Sequence, residues 1–203
     1  LRSRAPSDDH YRDILTLPNL ITLLRILLVP VFVVCFLRGW FWWATLAFTL
    51  AGLSDAMDGW LARRLQAQSQ LGQALDPIAD KLLMLSSYIV MAIPTEANVP
   101  IPWWLSGVVI GRDVGIVLTA AIIAQLTGFR DFKPSLPGKV STFCQVVLIV
   151  VYLIAQVWAG VHPLLPGCVA VVFGMTVYSG LHYIWFVARE VQEFRRHTGD
   201  PLL

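Results

Sequence analysis

The sequence predicts an all-α polytopic membrane protein with six transmembrane helices and both termini on the inner face, and three observations predict it. Of its 203 residues 57% are apolar and only 14% charged, with a mean hydropathy of +0.67. A soluble domain needs roughly a quarter of its residues charged to cover its surface, which excludes an ordinary cytosolic globule. The apolar residues fall into blocks about 20 long, enough for a helix to cross about 30 Å of hydrocarbon. Runs such as Ile26 to Leu37 and Val146 to Ile154 are apolar on all sides, whereas the strands of a lipid-spanning barrel alternate apolar with polar residues.

In chain order, residues 1–17 are polar and carry Ser7-Asp8-Asp9, a helix-cap pattern, before a mixed stretch with Tyr11, Ile14 and Leu15. That segment reads equally as an interfacial helix or a solvated tail. It is not read as a signal peptide, since the first apolar run starts late, is long and has no small-residue cleavage site behind it. Spans follow at 18–38, closed by Gly39; at 40–63, closed by Arg63-Arg64; and at 72–94, closed by Pro94. The fourth, 102–127, lies between Pro102 and Gly128, the fifth, 138–160, starts after Pro137, and the sixth, 163–189, opens at His162-Pro163. The membrane domain is thus 18–189, with a polar C-terminal tail over 190–203.

Orientation follows from Lys and Arg. With the N-terminus inside, Arg2, Arg4, Arg12, Arg63, Arg64, Arg130, Lys133, Lys139, Arg189, Arg195 and Arg196 fall inside and only Arg38 outside, the bias expected of cytoplasmic loops. Arg25, Lys81 and Arg112 fall within spans, where a cation is expensive unless it faces protein, water or a ligand. The net charge of +2 comes from dispersed residues and gives no nucleic-acid signal. Cys35, Cys144 and Cys168 stand in separate spans without metal-ligand spacing and read as ordinary apolar positions. Of the four His, only His182, within the last span, is kept as a site candidate.

The informative stretch runs from Ser54 to Lys81. Asp55 and Asp58 stand three apart at the inner end of the second span, and Asp76 and Asp80 four apart at the inner start of the third, so each pair shares a helix face. A short polar turn makes the two helices antiparallel neighbours and converges four carboxylates at the inner membrane boundary. Anions packed so closely must be protonated or be joined by cations. Oxygen-only donors favour Mg²⁺, Mn²⁺ or Ca²⁺, and two such ions form a known clamp for phosphoryl transfer. One or two of the acids read alternatively as helix-start or boundary charges. A cation channel or carrier is the reading from another class, but it predicts acids strung along a path rather than gathered at one face. Gly59, Ala62 and Gly72 would let a ligand or a neighbouring backbone come close.

The positions Asp55-x2-Asp58-Gly59-x2-Ala62-Arg63-x8-Gly72-x3-Asp76-x3-Asp80 resemble the complete signature of the CDP-alcohol phosphotransferase family, eight fixed residues over 26 positions. Leu17-Pro18-Asn19-Leu20-Ile21-Thr22-Leu23-Leu24-Arg25 is similar to its first-helix motif, Asp76-Pro77-Ile78-Ala79-Asp80-Lys81 to its glycerol-lipid branch, and Gly138-Lys139-Val140 to its fifth-helix start. The resemblance implies a six-helix membrane enzyme, usually a homodimer, that takes CDP-diacylglycerol and two divalent cations, Mg²⁺ or Mn²⁺. It implies Asp55, Asp58, Asp76 and Asp80 as metal ligands, with Asp80 also the general base. Asp58, Gly59, Ala62, Arg63, Gly72, Asn19 and Thr22 would bind CDP, and Arg112, Lys139, Lys81 and Arg25 the acceptor or a phosphate. For Arg112 the competing reading is simple neutralisation by Asp113. The implied acceptor is a glycerol-type alcohol. Arg112-Asp113, where glycerol 3-phosphate-using members more often carry Arg-Glu, favours phosphatidylglycerol, with glycerol 3-phosphate as the alternative. A bacterial cytoplasmic membrane fits this pattern, as does the mitochondrial inner membrane.

Overall fold

The computed structural model describes residues 17–65, 70–127 and 136–198, with side chains described outside 17–21, 55–65, 70–77, 120–122, 126–127 and 190–198. The described residues form α1 (Leu17–Leu37), α2 (Phe41–Leu65), α3 (Gln70–Ala92), α4 (Trp103–Thr127), α5 (Leu136–Val157), a 3₁₀ segment (Ala159–Leu164) and α6 (Leu165–Thr198), with no strand among them. Three stretches, Trp103–Gln125, Leu136–Val157 and Ala159–Arg189, are long and apolar enough to cross a membrane, and Thr22–Leu37 and Phe41–Ser54 are shorter apolar helices.

Two boundaries differ from the sequence expectation. The fifth and sixth spans are separated by the 3₁₀ segment, because Pro163 has no N–H to continue a helix and His162 Nε2 bonds the Ala155 carbonyl at 2.7 Å, closing the end of α5. The last helix runs past 189 to Thr198, since no Gly or Pro interrupts the chain before Gly199. Residues 190–198 of the polar tail are therefore helical.

The chain divides into two compact units, Leu1–Val99 and Pro100–Leu203. In the first, α1 packs against both α2 and α3, while the described contact between α2 and α3 is slight. Ala44, Ala47 and Ala51 are buried small residues that let α1 approach the α2 backbone closely. Phe32 of α1 then meets Phe48 at 5.8 Å, and Phe36 meets Phe41 edge-on at 5.5 Å.

The turn from α1 to α2 ends the helix in a Schellman pattern, with Gly39 N bonding Phe36 O and Trp40 N bonding Cys35 O. Gly39 sits at φ +72°, and a Cβ there would stand 3.0 Å from the Ala97 Cβ in the 93–100 connection. Both the backbone conformation and the close approach require glycine. Gly39→Ala is therefore expected to destabilise the protein by about 1–2 kcal/mol, measured as a lowered thermal midpoint in detergent; an unchanged midpoint would show that the turn relaxes freely. The facing connection is held by Asn98, whose Oδ1 accepts from Thr95 N and Oγ1 and whose Nδ2 donates to the Ile93 carbonyl.

In the second unit α6 packs on both α4 and α5. The α5 stripe Ser141, Gln145, Leu148, Tyr152 and Ala155, and the α6 stripe Val172, Thr176, Ser179, Tyr183 and Val187, are buried at three- and four-residue steps. Gln145 Nε2 donates to Thr176 Oγ1 at 3.4 Å and lies 3.5 Å from Ser141 Oγ, a polar link between the two helices. Trp104 of α4 meets Phe173 of α6 edge-on at 5.4 Å. Both units bury Arg25, Thr22, Ser87, Gln145 and Ser179 while exposing Leu27, Val117 and Leu181. Polar groups inside and large apolar side chains outside is the distribution lipid selects.

Candidate functional site

The helices that carry the acidic motif are positioned by their packing stripes. On α2 the buried residues Phe41, Ala44, Phe48 and Ala51 follow three- and four-residue steps, and continuing them along the same helix reaches positions 55, 58 and 62. Those are the positions of Asp55, Asp58 and Ala62, on the helix that also carries Gly59 and Arg63. On α3 the buried stripe is Ala79, Leu83, Ser87 and Tyr88, and the same helix carries Asp76 and Gly72. The side chains of these seven residues, and of Asn19, lie outside the described ones, as do the distances among the four carboxylates.

Asp80 is described: it is half-buried, directly after fully buried Ala79, and engaged with a neighbour. Lys81 next to it is exposed and also engaged. Thr22 and Arg25 of α1 are almost completely buried, on the same stripe as Phe32 and Phe36, and both are engaged within the structure. A guanidinium in an apolar helix stays charged only against protein, water or a ligand, so this burial sets Arg25 into the polar interior of the first unit. With Asp80 the one described member of the four acids, the described residues contain no cluster of metal-ligating side chains.

In the second unit, Arg112 is held on two sides. Its Nη1 donates to Asp113 Oδ1 at 2.8 Å and its Nη2 donates to Ser179 Oγ on α6, while Nε is buried without a hydrogen-bond partner. The side chains of Arg112 and Asp113 are only 10% and 18% exposed. The pairing with Asp113, weighed in the sequence reading as the competitor to an anion site, is thus present, and it leaves a donor free. Arg112 also lines a cavity of about 290 Å³ with Gly111, Thr119, Thr176, Gly180 and Tyr183. Lys139 is exposed in the first turn of α5.

Sequence reasoning missed Ser179, Thr176 and Gln145. Their signal was available, since Thr176, Ser179 and Tyr183 recur at three- and four-residue steps in an otherwise apolar helix. His182 sits among Tyr178, Trp185 and Phe186, parallel to the Phe186 ring, with Nδ1 buried and unbonded. It thus sits in an aromatic sleeve.

The first unit thus buries Thr22 and Arg25, and the second clamps Arg112 between Asp113 and Ser179, each a polar group inside apolar helices. The chain belongs to the CDP-alcohol phosphatidyltransferase family, whose model matches residues 15–188. Its similarity is shared between two kinds of member. It is 33% identical to the rat cardiolipin synthase (CMP-forming), over 89% of this chain and 65% of that protein. It is 35% identical to the cardiolipin synthase (CMP-forming) of Streptomyces coelicolor, over 64% of this chain and 61% of that one. Against the probable phosphatidylglycerophosphate synthase of Mycobacterium tuberculosis the identity is 30%, over 90% of this chain and 87% of the relative. The chain therefore spans about two thirds of the rat relative's length but most of the mycobacterial one's.

Proposed function

We propose that this protein transfers a phosphatidyl group from CDP-diacylglycerol to a glycerol-type alcohol and releases CMP. The observation that carries the reading is the family match over 15–188, which includes every motif position. Asp80, half-buried beside the α3 packing stripe, takes the proton from the acceptor hydroxyl. The hydroxyl oxygen bonds to the lipid-bearing phosphorus, and the bond from that phosphorus to the CMP oxygen breaks. Asp58, Gly59, Ala62, Arg63 and Gly72, with Asn19 and Thr22 of α1, bind the CDP group, the small residues admitting its planar base close to the backbone.

The donor set of Asp55, Asp58, Asp76 and Asp80 suits two hard divalent cations, Mg²⁺ or Mn²⁺. When bound, they neutralise the pyrophosphate and stabilise charge on the transferred phosphorus. Arg112 supplies a donor to the acceptor, held in orientation by Asp113 and Ser179, and Lys139, Lys81 and Arg25 add positive charge for phosphate groups. Ser179→Ala is accordingly expected to raise KM for the acceptor about tenfold, the loss of one hydrogen bond to a charged group, with a smaller change in kcat. Rescue by Ser179→Thr would separate the lost hydroxyl from a packing defect, and an unchanged KM would remove Ser179 from acceptor binding.

The proposed setting is a bacterial cytoplasmic membrane or, alternatively, a mitochondrial inner membrane, with residues 18–189 forming a six-span catalytic domain, as a homodimer, with both termini on the positively charged side. The acceptor favoured is phosphatidylglycerol, giving cardiolipin, on the strength of Arg112-Asp113. Glycerol 3-phosphate is the second reading, supported by the more complete coverage of the mycobacterial relative. The deciding experiment supplies purified protein with CDP-diacylglycerol, Mg²⁺ and either acceptor. CMP release with phosphatidylglycerol alone is expected; release with glycerol 3-phosphate alone reverses the acceptor, and release with neither removes the proposed activity.

A further inference from the structure

The end of the first unit that bears Gly39 holds features the transfer reaction does not use. Asp80 lies twelve residues before the end of α3, about 18 Å along the helix, whereas Gly39 abuts Ala97 just beyond that end. The α1–α2 turn is therefore remote from the acidic motif. It carries Trp40, Trp42 and Trp43, which are 55%, 73% and 62% exposed. Indoles with an apolar body and one N–H donor settle where hydrocarbon meets headgroups.

Two cavities meet at these rings. One, about 310 Å³, is lined by Gly39, Trp40, Phe41, Trp42 and Trp43. The other, about 280 Å³, shares Trp40 and Trp43 and runs between α1 and α2 past Cys35, Val31, Leu46 and Leu50. From Trp40 to Leu50 is ten residues of chain along α2, about 15 Å, which is the hydrocarbon depth of one leaflet of a bilayer of about 30 Å. Next to the upper cavity stands Arg38, exposed and without an ion pair among the described residues. It is the lone cation that the spans assign to that side of the membrane.

We infer that this groove is a binding site for one phospholipid, its acyl chain lying along α1 and α2 and its phosphate held by Arg38 at the tryptophan level, on the leaflet opposite the acidic motif. A long apolar furrow one leaflet deep, opening beneath a cation and indole donors, matches the order of tail, ester region and phosphate in such a lipid. The assignment of the leaflet rests on the proposed six-span orientation; the site itself does not.

The test uses the full chain in nanodiscs with a phosphatidylethanolamine whose acyl chain carries a diazirine. Adducts are mapped after illumination, and CMP release is assayed on the same preparation. Adducts are expected within 28–50, about fivefold weaker in Arg38→Gln, the loss of roughly one interfacial charge contact, with CMP release unchanged. Val31→Phe with Leu46→Phe, which fills the groove from two exposed positions, is expected to abolish them. Equal labelling by a diazirine diacylglycerol that lacks the phosphate, or no effect of Arg38→Gln, would reduce the groove to ordinary lipid contact and overturn the site. Protein–protein crosslinks through 28–50 in place of lipid adducts would assign the groove to a second copy and overturn it as well. Groove adducts without CMP release would leave the lipid site standing and remove the proposed transferase activity instead.

Discussion

Asp80→Asn is expected to lower CMP release by about 10²–10⁴-fold, the usual contribution of a positioned general base, with helicity and elution volume unchanged. The substitution keeps the shape of the side chain but removes its negative charge and its capacity to take a proton. Asp80 is half-buried beside a closely packed stripe of Ala79, Leu83 and Ser87, so an isosteric amide leaves the packing of α3 against α1 intact. Loss of activity with retained folding therefore separates a chemical role from a structural one. Asp80→Glu, which keeps the charge but moves it by one methylene, is expected to retain part of the rate. Near-full activity in Asp80→Asn would take the proton-accepting role away from this residue.

Removing divalent cations with a chelator is expected to reduce CMP release to background, and Mg²⁺ or Mn²⁺ to restore it. Asp55, Asp58, Asp76 and Asp80 occupy successive turns of two helices within one stretch of chain, and carboxylates at that density repel one another unless cations join them. Hard oxygen donors suit Mg²⁺ and Mn²⁺ and give no advantage to copper or zinc. The same binding must show without turnover. A ligand of the folded state raises its stability by mass action, so added Mn²⁺ is expected to raise the thermal midpoint of the substrate-free protein, and Asp58→Asn to abolish that rise. Full activity in chelator, or a midpoint insensitive to metal in both proteins, would leave the four acids without a metal role.

Most of the helical layout was legible in the chain because lipid is a simple solvent to read: an apolar run long enough to cross it must close its hydrogen bonds internally, and Gly or Pro marks its ends. Gly39 and Pro102 bound helices as expected. The end of α5 was less legible, since His162 reaches back to the Ala155 carbonyl through a side chain, a contact that no hydropathy pattern records. The acidic motif was legible by spacing alone. Ser179 was not, because its importance lies in meeting Arg112, 67 positions away in sequence.

The sequence by itself determined that this is an apolar helical protein of the CDP-alcohol phosphatidyltransferase family, and which acids, glycines and cations form its motifs. Those properties depend on composition, on spacing along single helices and on residue identity. Only the tertiary structure decided that α1 packs against both α2 and α3, that Thr22 and Arg25 turn inward, and that Arg112 is clamped between Asp113 and Ser179. A helix apolar on every side carries no amphipathic stripe to announce its buried face. In lipid that face is chosen by where small residues allow close approach and where polar groups on other helices can be satisfied, and both conditions exist only once the helices have come together.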